Sequence, residues 1–264
     1  MPHLDAYDVI SVVGIPVYAV FLLCAVYLCA KHGFSKSSGW RFLIVLALAR
    51  IIGFGMRLGL VNDPTNTSLW IGWMTVTSLG LGPLVLVLLS LLSRVFESVH
   101  RQGQVVLKPI HQRLIQTLVL AAIVVTVVGG TQSSFRLDNG SVAVDYGTAA
   151  RVGVGLMAAA VASLVLETFV ACLNRRFVAQ GEHRILLGVA ASLPFVAVRL
   201  VYPCLVVLAG TSADVWMYLC MCVLMELAVV FMLTVLGFTL DKLTDAPKTD
   251  PEQAASQEQQ QGHS

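Results

Sequence analysis

Seven long apolar runs separated by short polar segments set the strongest limit on how this chain can fold. A helix needs about 20 predominantly apolar residues to cross the roughly 30 Å hydrocarbon core of a bilayer. We expect helices, because a helix satisfies its backbone hydrogen bonds internally and the chain lacks the alternating pattern of a membrane barrel. The predicted spans are Val9 to Ala30, Phe42 to Val61, Leu69 to Leu92, Leu114 to Gly130, Val152 to Leu173, Ile185 to Ala209 and Val215 to Leu240.

The composition agrees with an all-α, polytopic membrane bundle of seven transmembrane helices. Hydrophobic residues make up 57% of the chain and charged residues 12%, whereas soluble domains are roughly 25% charged. We assign residues 1–243 to this transmembrane domain. Residues 244–264 are polar and lack aromatic side chains, so we predict a disordered cytosolic tail there.

Basic residues predict the orientation of the bundle, because loops on the cytosolic side carry an excess of lysine and arginine. One side of the predicted membrane holds only Arg136 and the boundary residue Arg151. The N-terminus is therefore predicted to be lumenal or outside, and the C-terminus cytosolic. The basic residues on the other side are Lys31, Lys36, Arg41, Arg94, Arg101, Lys108, Arg113, Arg175, Arg176, Arg184, Lys242 and Lys248.

Two glycosylation sequons agree with that orientation. Asn66 and Asn139 each begin an N-x-S sequence in a loop assigned to the lumenal side. We predict glycosylation at both positions, and a location in the endoplasmic reticulum or another membrane of the secretory pathway.

Several function classes are not expected. The chain has no P-loop, no G-x-S-x-G, no H-E-x-x-H and no dinucleotide fingerprint. The histidines lie in loops or tails without a partner at zinc-ligand spacing, so we predict no metal site and no cofactor. The basic loops carry only the charge that topology requires, so nucleic-acid binding is not expected.

Five ionisable residues lie within the predicted spans, and each costs about 2.5 to 3.5 kcal/mol at the centre of a membrane helix. Arg50 and Arg57 are seven residues apart, which is close to two turns of about 3.6 residues, so they share one face. That face is expected to point into the bundle. The five residues are Arg50, Arg57, Glu167, Arg199 and Glu226.

Two interpretations of these charges remain open. They are either structural ion pairs that hold the bundle in register, or the lining of a polar chamber that binds a ligand. Glu226 is expected to pair with Arg50 or Arg199, and Arg57 with Glu226 or Glu167. Three cations against two anions leave one positive charge for an anionic or carbonyl-bearing ligand. The candidate ligand-binding residues are Arg50, Arg57, Arg199, Tyr202 and Trp216.

The motifs "KHGFSKSSGWRFL", "VNDPTNTSLWIG", "LLSRVFESV", "LKPIHQRLIQ", "VRLVY" and "VLGFTLD" resemble a family of fungal seven-helix integral membrane proteins, most without an assigned function. The resemblance covers about residues 5–243. In length and in the placement of its acids, the chain is also similar to the membrane-bound terpene cyclases of fungal secondary metabolism.

The cyclase resemblance implies acid-initiated cyclisation of a lipophilic, prenylated substrate taken from the bilayer. Glu226 or Glu167 would protonate the substrate, and the aromatic faces of Tyr202, Trp216 and Tyr218 are the candidates that would stabilise the carbocation. The alternative is a non-enzymatic heptahelical receptor or transporter for a small lipophilic or anionic ligand. Seven spans with an outside N-terminus suit a receptor, although no D-R-Y-like sequence ends the third span.

Overall fold

A computed structural model describes residues 5–32, 38–101, 109–138, 141–177, 182–211 and 214–240. The predicted disordered tail and Asn139 lie outside these residues. A short antiparallel hairpin, β1 (Ser134–Asp138) and β2 (Ser141–Asp145), separates two of the helices. The helices are α1 Ala6–His32, α2 Ser38–Asn62, α3 Thr67–Leu79, α4 Leu81–Arg101, α5 Pro109–Thr131, α6 Thr148–Leu173, α7 His183–Pro203, α8 Val215–Met217 and α9 Met225–Thr239.

The predicted all-α bundle of seven spans is confirmed, because seven helical segments are long and apolar enough to cross a membrane. Helices α3 and α4 together form the third span, Thr67–His100. We call the side of the bundle on which α1 begins the N-terminal side, and the opposite side the C-terminal side.

Two of the spans contain a π-helical turn. Helix α7 continues through Pro203 into the π turn Cys204–Leu208, and the π turn Tyr218–Leu224 joins α8 to α9. Proline removes a backbone donor, and π turns occur mostly as single-turn insertions in α-helices, frequently at functional sites. Both π turns lie towards the N-terminal side, next to the clusters described below.

The third span lies at the centre of the bundle. Its most apolar 18-residue segment is 83% buried, against 44% or less in each of the other six spans. Leu84 and Leu88 of α4 are fully enclosed and belong to the same apolar core as Leu164 of α6, Val189 of α7 and Leu233 of α9. The outer helices expose large apolar side chains, as expected for surfaces that face lipid. Examples are Leu23, Leu166 and Leu187.

Helices α5 and α6 pack closely along an antiparallel seam. Gly129 lies against the backbone of Ala150, and a Cβ atom on Gly153 would lie 2.6 Å from the hydroxyl oxygen of Thr126. The absence of a side chain at the glycines therefore allows this close approach. Continued in alternating steps of three and four residues along both helices, this register would bring Ala122 opposite Met157, Val119 opposite Ala160, Ile115 opposite Leu164 and Gln112 opposite Glu167.

Candidate functional site

One buried carboxylate, that of Glu226, binds two arginines. Arg50 donates to it through both Nε and Nη2, one hydrogen bond to each carboxylate oxygen. Arg199 Nε lies 3.5 Å from Oε2, and the hydroxyl of Tyr18 donates to Oε1 at 2.9 Å. Glu226 therefore pairs with both of the arginines between which the sequence left the choice open. We call Arg50, Arg199, Glu226 and Tyr18 the Glu226 cluster.

Four spans supply the Glu226 cluster, and a fifth hydrogen-bonds to it. Tyr18 lies on α1, Arg50 on α2, Arg199 on α7 and Glu226 in the first turn of α9, directly after the π turn. Arg199 Nη2 also donates to the backbone carbonyl of Thr77 at 2.9 Å. That carbonyl lies in the last turn of α3, where helix carbonyls tend to lack partners within the helix. The cluster thus ties α1, α2, α3, α7 and α9 together.

Gly80, at the junction of α3 and α4, allows the Glu226 cluster to close. A Cβ atom at this position would lie 2.7 Å from Glu226 Oε2 and 2.9 Å from Arg50 Nη2. The ion pair therefore occupies the space that any larger residue would need.

Arg57 lies away from the Glu226 cluster, although it is buried on the same helix as Arg50. Its Nε donates to Asp8 Oδ1 at 2.9 Å, and its Nη2 lies 3.8 Å from the exposed carboxylate of Asp5. The prediction that Arg57 pairs with a glutamate is wrong. Asp8 was missed because the predicted first span began at Val9, whereas α1 begins at Ala6.

Asp8 also changes the charge balance inferred from the sequence. It is a buried anion that the sequence did not count, and it neutralises Arg57 directly, so the excess of cations lies in the Glu226 cluster, where one carboxylate binds two arginines. The guanidinium carbon of Arg57 further lies 5.0 to 5.2 Å from the centres of three aromatic rings, close enough for cation–π attraction. The rings belong to Tyr7, Trp70 and Trp73. The structure thus gives Arg57 a full set of protein partners.

The other predicted site residues, Tyr202, Trp216 and Glu167, lie in three different places. Tyr202 packs against Tyr218, with ring centres 6.1 Å apart, close to the Arg57 aromatic rings. Trp216 is 70% exposed and faces away from the bundle. Glu167 is buried on α6, and neither carboxylate oxygen has a hydrogen-bond partner among the described residues. The structure therefore brings Arg50, Arg199 and Glu226 together, and leaves Glu167 and Trp216 outside that group.

A pocket lies between α3, the start of α4, α5, α6, α7 and the first π turn. Its apolar walls include Met74, Leu81, Met157, Leu200 and Val207. No acidic, basic or histidine side chain is among its lining residues in the described part of the chain. The pocket reaches the surface of the bundle, because Ser78 at its edge is exposed. We call this space the hydroxyl pocket, after the side chains Thr75, Ser78, Thr126, Ser133 and Tyr146 that line it.

The hydrogen bonds in this pocket show which of its hydroxyl groups already donate to a protein acceptor. Ser78, Thr126 and Ser133 each donate to the backbone carbonyl four residues earlier, at 2.7 to 3.0 Å. Their oxygen lone pairs remain available to accept a hydrogen bond. The buried hydroxyl of Thr75 has no partner among the described residues. Burial raises the pKa of Tyr146, so its phenol remains neutral.

The hydroxyl pocket and the Glu226 cluster involve consecutive residues on two helices, α3 and α7. Ser78 directly follows Thr77, whose carbonyl binds Arg199, and Leu200 directly follows Arg199. Sequence reasoning missed the pocket because its residues come from five helices, a π turn and the two segments that flank the β-hairpin. The available signal was a group of serine and threonine residues within otherwise apolar spans, together with the paired glycines Gly129 and Gly130.

The fold and these clusters define a polytopic α-helical membrane protein with an ion-paired interior. The chain belongs to the family described as Domain of unknown function (DUF7702), whose profile matches residues 4–243. No curated protein and no solved structure is significantly similar to the chain.

Proposed function

We propose that this protein binds a small, neutral, lipophilic molecule that carries a hydroxyl group, and that the hydroxyl pocket is its binding site. The observation that carries the proposal is the lining of the pocket, where five hydroxyl side chains occur among apolar ones. Ligand sites commonly combine apolar walls with a few polar groups that fix orientation.

The hydrogen bonds of the pocket indicate which polar group a ligand would carry. Ser78, Thr126 and Ser133 already donate their protons to helix carbonyls, so their oxygens act as acceptors. A ligand hydroxyl can donate to such an oxygen, whereas a carboxylate cannot. The lack of a cation among the described lining residues also disfavours an anionic ligand. This supports the lipophilic ligand among the predicted alternatives.

The Glu226 cluster has a structural role in this proposal. Arg50 and Arg199 both bind Glu226, and Arg57 binds Asp8, so each buried arginine has an anionic protein partner. Such pairing supports the interpretation that the charges hold the helices in register. They would thereby keep α3 and α7 in the positions that shape one wall of the pocket.

Photolabelling tests the proposal. The purified full-length protein in lipid nanodiscs would be irradiated with clickable, diazirine-bearing sterol and terpenoid alcohols, with a fatty acid of similar size for comparison. We expect saturable labelling by an alcohol, mapped to α3, α5, α6 or the first π turn. Thr75→Val should reduce it severalfold, whereas Thr117→Val, which removes an exposed hydroxyl elsewhere on α5, should not. Equal labelling of both variants would contradict the proposal.

A terpene cyclase of secondary metabolism is the second candidate. The specific observation in its favour is Glu167, a buried acid without a hydrogen-bond partner among the described residues. Glu226 suits the initiating role less well, because its carboxylate binds two guanidinium groups. Neither glutamate lines the hydroxyl pocket, which is why the cyclase ranks second.

The cyclase candidate is tested by metabolite profiling of a host that expresses the chain and is supplied with prenylated phenols and their terminal epoxides. A cyclised product that Glu167→Gln abolishes, at unchanged protein level, would favour the cyclase. Absence of any new product would leave ligand binding as the function.

We also infer that the N-terminal side faces the lumen of a secretory-pathway membrane. The distribution of basic residues and the position of Asn66 on the N-terminal side, between α2 and α3, support this orientation. Digestion with an endoglycosidase should increase the gel mobility of the wild type. Replacement of Asn66 and Asn139 by glutamine should abolish that change, and a wild type unaffected by the enzyme would count against the inference.

A further inference from the structure

Glu167 occupies an unusual place in the seam between α5 and α6. It lies on the buried face of α6, in line with Ala160 and Leu164, which are both fully enclosed. Its side chain is itself 4% exposed. Extension of the seam register from Gly129 and Gly153 would bring Gln112 of α5 opposite it. Glu167 is thus an acid on the α6 side of the seam, where the other residues are apolar or glycine.

Both polar groups at this level of the seam have unused hydrogen-bonding capacity. The two carboxylate oxygens of Glu167 have no hydrogen-bond partner among the described residues. The same is true of the side-chain nitrogen of Gln112. A polar atom buried in this way normally has a protein or water partner. The buried carboxyl group of Glu167 therefore needs a compensation that no described side chain supplies through a hydrogen bond.

The surroundings offer no cation for an ionised Glu167. Several charged or titratable side chains lie towards the same end of the helices that pack against α6. In the described part of the chain, none of them makes a salt bridge or a hydrogen bond to Glu167. These side chains are Arg94, Glu97 and His100 on α4, His111 and Arg113 on α5, Arg175 and Arg176 on the 3-10 helix Arg175–Phe177, and Glu182, His183 and Arg184 at the start of α7.

We propose that Glu167 is a proton-binding site in the α5–α6 seam, where it is held as a neutral carboxylic acid opposite Gln112. An unpaired carboxylate in an apolar environment is strongly disfavoured, and uptake of a proton removes the charge. Protonation therefore allows an acid to remain next to Ala160 and Leu164. The site is separate from the hydroxyl pocket and does not depend on its ligand.

A neutral acid at this position has a characteristic chemistry with lipid-soluble carbodiimides. The carboxyl proton transfers to one carbodiimide nitrogen, the carboxyl oxygen bonds to the central carbon, and the π bond of one C=N group breaks. The O-acylisourea then rearranges to a stable N-acylurea by transfer of the acyl group to nitrogen. No group leaves, so the labelled peptide gains the whole mass of the reagent.

The primary test is infrared difference spectroscopy on the full-length protein in liposomes at neutral pH. We expect the C=O stretching band of a protonated carboxyl group in the wild type and its loss in Glu167→Gln. The matched control is Glu97→Gln, which changes an exposed glutamate of α4 and should leave that band in place. A Glu167→Gln difference spectrum that shows loss of a carboxylate band, and no loss of a protonated one, would overturn the proposal.

Labelling provides a second measurement within one sample of wild-type protein. Dicyclohexylcarbodiimide should modify the peptide that contains Glu167 and leave the peptide that contains Glu226 unmodified, because Glu226 is bound by two arginines. A water-soluble carbodiimide should modify neither. Modification of Glu226 in place of Glu167 would contradict the assignment of the proton.

Discussion

Arg50 holds Glu226 by a two-pronged contact that joins α2 to α9 in the interior of the bundle. Both side chains are almost completely buried, and Arg199 reaches the same carboxylate from α7. Two parallel hydrogen bonds between an arginine and a carboxylate fix both distance and orientation. Removal of one partner of a buried pair leaves the other charge uncompensated.

Replacement by glutamine should therefore have very different effects on stability at the two buried glutamates, Glu226 and Glu167. Glu226→Gln leaves Arg50 and Arg199 without an anion, and we expect a loss of about 3–5 kcal/mol in the free energy of unfolding. Glu167→Gln removes no partner among the described residues, so its effect should be small. Thermal unfolding of the two variants in detergent measures the difference, and equal destabilisation would show that the Glu226 cluster has no special role.

The Arg57 site allows a second comparison between neighbouring acids. Asp8 is buried and accepts a hydrogen bond from Arg57, whereas Asp5 is 75% exposed and 3.8 Å from it. Asp8→Asn should cost about 1.5–3 kcal/mol, because it weakens a charged hydrogen bond in a buried setting. Asp5→Asn should cost about 0–1 kcal/mol, as expected for an exposed pair. Chemical denaturation in mixed micelles provides the values, and a larger effect at Asp5 would refute the assignment.

Gly80 gives a steric test of the Glu226 cluster. A Cβ atom there would collide with Glu226 and Arg50, so Gly80→Ala should destabilise the protein by about 1–3 kcal/mol. Gly55→Ala is the matched control on α2, because a Cβ atom at Gly55 meets no atom within 4 Å. That variant should be neutral or stabilised by about 0.5–1 kcal/mol, since alanine suits a helix interior better than glycine. The same melting temperature for both variants would mean that Gly80 does not limit the packing.

The seven spans could be predicted because a membrane helix needs an uninterrupted apolar run of fixed length, and hydropathy alone reveals it. The meeting of Arg50, Arg199 and Glu226 could also be predicted, because charges near the middle of different spans can escape lipid only by facing one another. In both cases the free-energy cost of exposing polar or charged groups to lipid dominates the outcome.

Other parts of the site depend on geometry that the sequence does not contain. Asp8 lies only one residue before the predicted start of its span, and one further turn of helix places it beside Arg57. Trp216 was predicted to bind the ligand, but the rotation of its helix turns it outward. The hydroxyl pocket requires the relative heights and rotations of several helices, so Thr75 and Tyr146 could not be grouped in advance.

The most direct test of the proposed function is a binding measurement with a ligand alcohol and its methyl ether. The alcohol would be the one that labels the wild type best, and its affinity for the full-length protein in nanodiscs would be measured for wild type, Thr75→Val and Thr117→Val. The ether retains the apolar body and the oxygen acceptor but cannot donate a proton to the pocket oxygens. We predict that the alcohol binds at least about fivefold more tightly than the ether, as expected for about 1 kcal/mol from a hydrogen bond, and that Thr75→Val weakens binding of the alcohol while Thr117→Val does not. Equal affinity for alcohol and ether in all three proteins would contradict recognition of a hydroxyl group in this pocket.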